Sequence, residues 1–142
     1  MSPKIRILLV DDHQTVRESW KFLLEKDDRF LVIGESSEGG DAVEKAARLN
    51  PDIILMDVNM KPVNGFEATE RIISGNPAAR IIGLSVNNQH GYAKKLMGLG
   101  AKGFVTKSSQ FAELVSAILK VYNGETYICE EVRKQSKSRQ NS

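Results

Sequence analysis

A small set of polar residues stands where apolar runs end. Asp11 and Asp12 follow Ile5–Val10, and Asp57 follows Ile53–Met56. Ser85 follows Ile81–Leu84, while Thr106 and Lys107 follow Gly103–Val105. Three carboxylates brought close repel one another, and some take up protons unless a cation lies among them. An all-oxygen set suits a hard divalent ion. Mg2+ takes one or two carboxylates, keeps several waters and often binds phosphate oxygens. Lysine and serine complement such a ligand, one as a point charge and one as a hydrogen-bond donor. A carboxylate can also attack a phosphoryl group and form an acyl phosphate, with a metal neutralising the developing charge. Asp57 is the candidate nucleophile, flanked by Lys107 and Ser85; Asp11 and Asp12 are candidate metal ligands.

This chemistry requires elements that bring the run ends together. The runs Ile5–Val10, Phe30–Ile33, Ile53–Met56, Ile81–Leu84 and Gly103–Val105 are short, branched and almost without polar alternation. Strands buried on both faces of a parallel sheet read this way. Amphipathic stretches lie between them. Their stripes are Val16, Trp20, Leu23 and Leu24; Ala42, Val43, Ala46 and Ala47; Phe66, Thr69, Ile72 and Ile73; Tyr92, Leu96 and Met97; and Phe111, Leu114, Val115, Ile118 and Tyr122. Pro51, Gly75-Asn76-Pro77, Gly98 with Gly100, and Asn123-Gly124 punctuate the last four. The order βαβαβαβαβα predicts an α/β domain with a doubly wound, five-stranded parallel sheet in the order 2-1-3-4-5 and right-handed crossovers. Ligands of such sheets bind outside the carboxyl ends of the strands, where the polar residues lie.

The chain has 142 residues, 41% hydrophobic and 27% charged, with a single cysteine, Cys129. That fits one domain with a short extension and excludes an internal disulfide framework. No run approaches a spanning helix, and the start lacks the features of a signal peptide; a cytoplasmic protein is predicted. The net charge of +2 is uneven. Without Arg133, Lys134, Lys137 and Arg139, 16 basic residues face 18 acidic ones. A mildly acidic body with a basic end does not read as a nucleic-acid binder. The domain is predicted over 4–128. Residues 129–142 are predicted to be a basic, polar tail or linker without fixed structure.

Residues 4–128 resemble the response-regulator receiver domain of two-component signalling. The matching segments are Leu9-Val10-Asp11-Asp12-His13, Pro51 to Asp57, Gly65-Phe66-Glu67-Ala68, Leu84-Ser85, and Gly100 to Lys107. Asp11-Asp12-His13, the segment Gly103 to Ser109 and Asn123 to Tyr127 also resemble the subfamily with a C-terminal LuxR-type helix-turn-helix (the LuxR/NarL/FixJ regulators). The resemblance implies a flavodoxin-like (βα)5 fold and a signalling switch, not a turnover enzyme. It implies that Asp57 accepts phosphate from a sensor histidine kinase. Asp12, Asp57 and the Asn59 carbonyl would bind Mg2+, with Asp11 acting through water. Lys107 would pair with the phosphoryl group. Ser85 would swing toward it, and Phe104 would turn inward, changing the surface of the fourth helix, fifth strand and fifth helix. Asn59 and Asn87 would tune hydrolysis. DNA contact would come only through a C-terminal domain that this chain does not contain, and a homodimer is a further implied partner. One departure from the family pattern is Lys61-Pro62, with proline one place late.

Other residues carry plainer readings. His13 reads as a loop residue opening the first helix, His90 as a solvated residue opening the fourth, Trp20 as core or half-buried surface, and Cys129 as an inert thiol. Leu119 and Val121, beside the fifth stripe, are candidates for a dimer or interdomain contact. A cobalamin module shares the sheet order, but Val16 stands where its loop needs glycine. A haloacid-dehalogenase-like phosphatase needs a second acid two places after its nucleophile, where Asn59 stands. A flavin or dinucleotide site lacks its glycine-rich loop.

Overall fold

The computed structural model describes residues 3–86, 88 and 90–134. Eleven elements alternate: β1 Ile5–Val10, α1 Gln14–Glu25, β2 Phe30–Ser36, α2 Gly39–Leu49, β3 Ile53–Asp57, α3 Gly65–Gly75, β4 Ile81–Ser85, α4 His90–Gly98, β5 Gly103–Thr106, α5 Phe111–Tyr122 and β6 Tyr127–Ile128. The strands form one parallel sheet in the order β2-β1-β3-β4-β5-β6. The predicted order is therefore present, extended by a sixth strand.

Every residue of β3, β4 and β5 is buried, which explains their continuous apolar sequence. β2 is an edge strand and tolerates polar residues. It runs on through Gly34-Glu35-Ser36, beyond the apolar run, with a register shift opposite Ile7 and Leu8. Trp20 and Phe111 bring α1 and α5 to the same face, their rings 6.4 Å apart. α2 packs on α3, and α3 on α4.

Local chemistry sets the helix ends. Asn64 accepts a hydrogen bond from the Glu67 N–H at 2.9 Å and caps α3. Asn50 adopts a left-handed conformation (φ 47°) after α2, and Pro51 prevents continuation. Gly124, at φ 92°, turns the chain after α5 back toward the sheet.

Three sequence expectations change. Leu23, at the border of the α1 stripe, stays exposed; Trp20 and Leu24 take the core. Val121 is buried in the core, so it is not available for a dimer contact, and Leu119 is partly buried. The segment after residue 128 does not leave the body at once. β6 lies along β5, with hydrogen bonds from Tyr127 N–H to the Lys102 carbonyl (3.0 Å) and from Cys129 N–H to the Phe104 carbonyl (2.9 Å). Cys129 and Val132 are fully buried, and residues 130–134 are helical. Two apolar residues among charged ones are too few to register as an element, yet they suffice to anchor this stretch. Residues 135–142 of the predicted tail lie outside the described residues.

Candidate functional site

The register brings the acidic residues together. Val10 pairs with Met56, so the next residue on each strand, Asp11 and Asp57, stands side by side at the carboxyl end of the sheet. Asp57 pairs with Leu84, and Ser85 with Thr106, which carries the line of polar residues across to Lys107. Gly65 permits the loop beyond Asp57 to close. A Cβ there would collide with the Asp57 carbonyl oxygen and the Val58 Cα, and the Gly65 N–H donates to the Val58 carbonyl at 3.2 Å. Within this loop the Lys61-Pro62 peptide is cis.

Asp11 and Asp57 are fully buried. Lys107 Nζ lies between them, 2.8 Å from Asp11 Oδ2 and 3.3 Å from Asp57 Oδ2. One ammonium thus serves two buried carboxylates, and the three groups together keep a net negative charge. Asp57 Oδ1 accepts from the Asn59 N–H at 3.0 Å. Burial pushes the Asp57 carboxyl up to about 6. The Asn59 N–H opposes this, Asp11 adds to it, and Lys107 opposes it.

Asp12 stands at the rim and is partly exposed. His13 does precede α1, as its sequence position suggests, but its ring joins the acids: Nδ1 is 2.9 Å from Asp12 Oδ1 and 3.2 Å from Asp11 Oδ1. Ligand atoms of Asp11, Asp12, His13 and Asp57 all lie within 4.8 Å of one another. Two buried carboxylates that share one ammonium, beside a third carboxylate, are a donor set that fits a hard divalent cation.

The remaining predicted residues take distinct places. Ser85 is buried, with its hydroxyl 3.4 Å from Asn59 Oδ1, and its carbonyl accepts from the Lys107 N–H at 2.8 Å. Phe104 is fully buried on β5, paired with Gly83 on β4. Asn87 lies outside the described residues. His90 is half-buried at the start of α4, and Cys129 is a buried free thiol.

Sequence reasoning missed two supports. Arg17 donates to the Asp11 carbonyl at 2.7 Å and to Glu35 at 3.2 Å, fastening the loop that bears the acids. Glu131 reaches the residues around Lys107 from the C-terminal stretch, and no local signal marks it.

The geometry has close counterparts in known proteins. The response regulator receiver domain family matches residues 7–119. The chain is 35% identical to the response regulator GacA of Pseudomonas viridiflava, over 92% of this chain and 61% of that protein. It is 38% identical to the response regulator UvrY of Escherichia coli K12, over 92% and 60%. The chain thus spans about three fifths of these relatives' length. A crystal structure of a two-component response regulator of the LuxR family from Aurantimonas sp. SI85-9A1 superposes with a TM-score of 0.94 at 34% identity, covering 99% of this chain and all of the other. The signal receiver domain of the putative response regulator NarL from Mycobacterium tuberculosis superposes with a TM-score of 0.83 at 27% identity, covering 87% of this chain and all of the other. Receiver domains characteristically carry their phosphoacceptor in an acidic cluster such as Asp11, Asp12, His13 and Asp57. No helix among the described residues is long and apolar enough to cross a membrane. The matched family is one of signalling switches, not of turnover enzymes, and the chain belongs to it as a response-regulator receiver domain related to the LuxR/NarL/FixJ-type regulators.

Proposed function

We propose that Asp57 accepts a phosphoryl group from a sensor histidine kinase and that the resulting acyl phosphate switches the α4–β5–α5 surface. The observation that carries this reading is the pair of buried carboxylates, Asp11 and Asp57, sharing the single ammonium of Lys107, with Asp12 beside them. The negative charge left over in this buried site is costly unless a bound cation offsets it. In the transfer, an Asp57 oxygen forms a bond to phosphorus as the phosphorus–nitrogen bond of the donor phosphohistidine breaks. The histidine nitrogen keeps the electron pair.

Mg2+ is the cation this donor set suits. Asp57, Asp12 and the Asn59 carbonyl would hold it directly and Asp11 through water; when bound, it neutralises charge on the transferring group. Lys107 shifts from Asp11 toward the new phosphoryl oxygens. Ser85 turns to donate to the same oxygens, and Phe104 occupies the space beside it. Asn59 and Asn87 control water's approach and so the lifetime of the acyl phosphate. These movements act on a DNA-binding output domain beyond this chain, in the cytoplasm, with homodimer formation as a second output.

The test is transfer from a phosphorylated sensor histidine kinase in the presence of Mg2+. Label on wild type that hydroxylamine releases supports an acyl phosphate. Label that persists in hydroxylamine, or equal labelling of Asp57→Asn, contradicts it.

A further inference from the structure

The C-terminal stretch is fastened to the site by one exposed carboxylate. Glu131 Oε1 accepts from Asn88 Nδ2 at 2.7 Å. Its Oε2 accepts from Thr106 Oγ1 at 2.9 Å and Ser108 Oγ at 3.3 Å. Thr106 and Ser108 are the residues on either side of Lys107, and Asn88 lies three residues beyond Ser85. The three donors therefore sit on the two segments that carry the cation and the hydroxyl of the phosphoacceptor site. Asn88 and Thr106 hold the Glu131 carboxyl below the usual carboxylate range. Among the described residues no lysine or arginine pairs with it, so its place depends on the aim of three neutral side chains.

The rest of the stretch covers the sheet edge. β6 occupies the open edge of β5 through Gly103↔Tyr127 and Phe104↔Ile128. A second fastening runs through α5: Glu113 Oε2 accepts from Tyr127 OH and from the Glu130 N–H, each at 2.9 Å. The stretch thus has one anchor on α5 and one on the loops of the site, and it hides the edge strand between α4 and α5.

We propose that residues 127–134 form a latch over the edge of β5 and that phosphorylation of Asp57 releases it. The inference rests on Asp57 being the phosphoacceptor. A phosphoryl group on Asp57 draws the Lys107 ammonium and the Ser85 hydroxyl. Thr106, Ser108 and Asn88 move with the backbone segments they share, and Glu131 loses aligned donors. The stretch then loosens and exposes the edge of β5. Two states biased by a local charge change are the element such a switch requires. Coupling is reciprocal, so a latch that favours the unmodified site must weaken binding of a phosphoryl mimic by the factor with which the mimic loosens the latch.

The test is amide hydrogen exchange with Mg2+ and beryllofluoride, followed in parallel by 19F NMR for occupancy. The amides of Tyr127, Cys129 and Arg133 report the latch, since each donates to a backbone carbonyl. Occupied protein is expected to exchange them about 10-fold faster than protein with Mg2+ alone. Glu131→Ala, at an exposed residue, is expected to exchange them faster with Mg2+ alone, to gain little further on occupancy, and to bind beryllofluoride about 3- to 10-fold more tightly. Glu131→Gln, which keeps one acceptor, falls between. Occupied protein with unchanged or slower exchange overturns the latch alone, as does unchanged or weaker mimic binding by Glu131→Ala. Failure of wild type to bind the mimic at all overturns the phosphoacceptor assignment and the latch with it.

Discussion

Lys107 stands nearer to Asp11 than to Asp57, with Nζ at 2.8 Å and 3.3 Å respectively. The cation is held by the carboxylate that is not the candidate nucleophile, and it leaves Asp57 only partly compensated. Asp57 is accordingly pushed up to about 6, with burial the main cause and Asp11 an additional one. In metal-free protein the Asp57 carboxyl is expected to titrate near that pH, read from its 13C resonance. Removing the positive neighbour with Lys107→Ala raises the midpoint, and Mg2+ lowers it. A midpoint at the ordinary aspartate value of 3.8 in metal-free protein would contradict this electrostatic picture.

The same shift has a stability consequence with a defined sign. Folded Asp57 binds its proton more tightly than unfolded Asp57. The native state therefore holds more protons between pH 4 and 6, about the span of the shift, and loses stability as pH rises through it. Asp57→Asn removes the buried charge. In EDTA at pH 7 it is expected to be more stable than wild type by about 1–2 kcal/mol in urea unfolding. The difference fades as pH falls toward 4.

Gly65 lets α3 begin directly against the strand that ends in Asp57. Gly65→Ala places a methyl group on the Asp57 carbonyl and the Val58 backbone. A loss of about 1–3 kcal/mol is expected in urea unfolding, together with weaker Mg2+ binding measured by calorimetry. Gly75→Ala is the control, because a Cβ there meets nothing within 4 Å.

The sheet order and most of the site were legible because buried parallel strands write themselves as apolar runs. The residues ending those runs, Asp57 and Ser85 among them, must then share one edge. β2 was underestimated because Gly34-Glu35-Ser36 forms an edge that needs no apolar side chains. β6 was invisible for a related reason: two residues pair on an edge because Gly124 redirects the chain, which hydrophobic periodicity does not record. Val121 was misplaced because α5 buries a wider face than its expected stripe, including Ala117 and Val121. The approach of His13 Nδ1 to Asp12 follows from the geometry of the turn into α1, which residue type alone does not determine.

The burial of Val132 gives the C-terminal stretch a measurable share of stability. Val132→Ala is expected to cost about 1–3 kcal/mol, read from the urea midpoint. Val132→Thr, similar in shape but carrying a hydroxyl into the core, costs a comparable amount. An effect near zero for both would place the stretch outside the folded body.

The central claim, a phosphoacceptor at Asp57, is tested most directly by intact mass after incubation with acetyl phosphate and Mg2+. Wild type, Asp57→Asn and wild type with EDTA are run together. One added phosphoryl group is expected on wild type and none in the other two. An adduct of equal yield on Asp57→Asn, or no adduct on wild type while Mg2+ binding is intact, would contradict it.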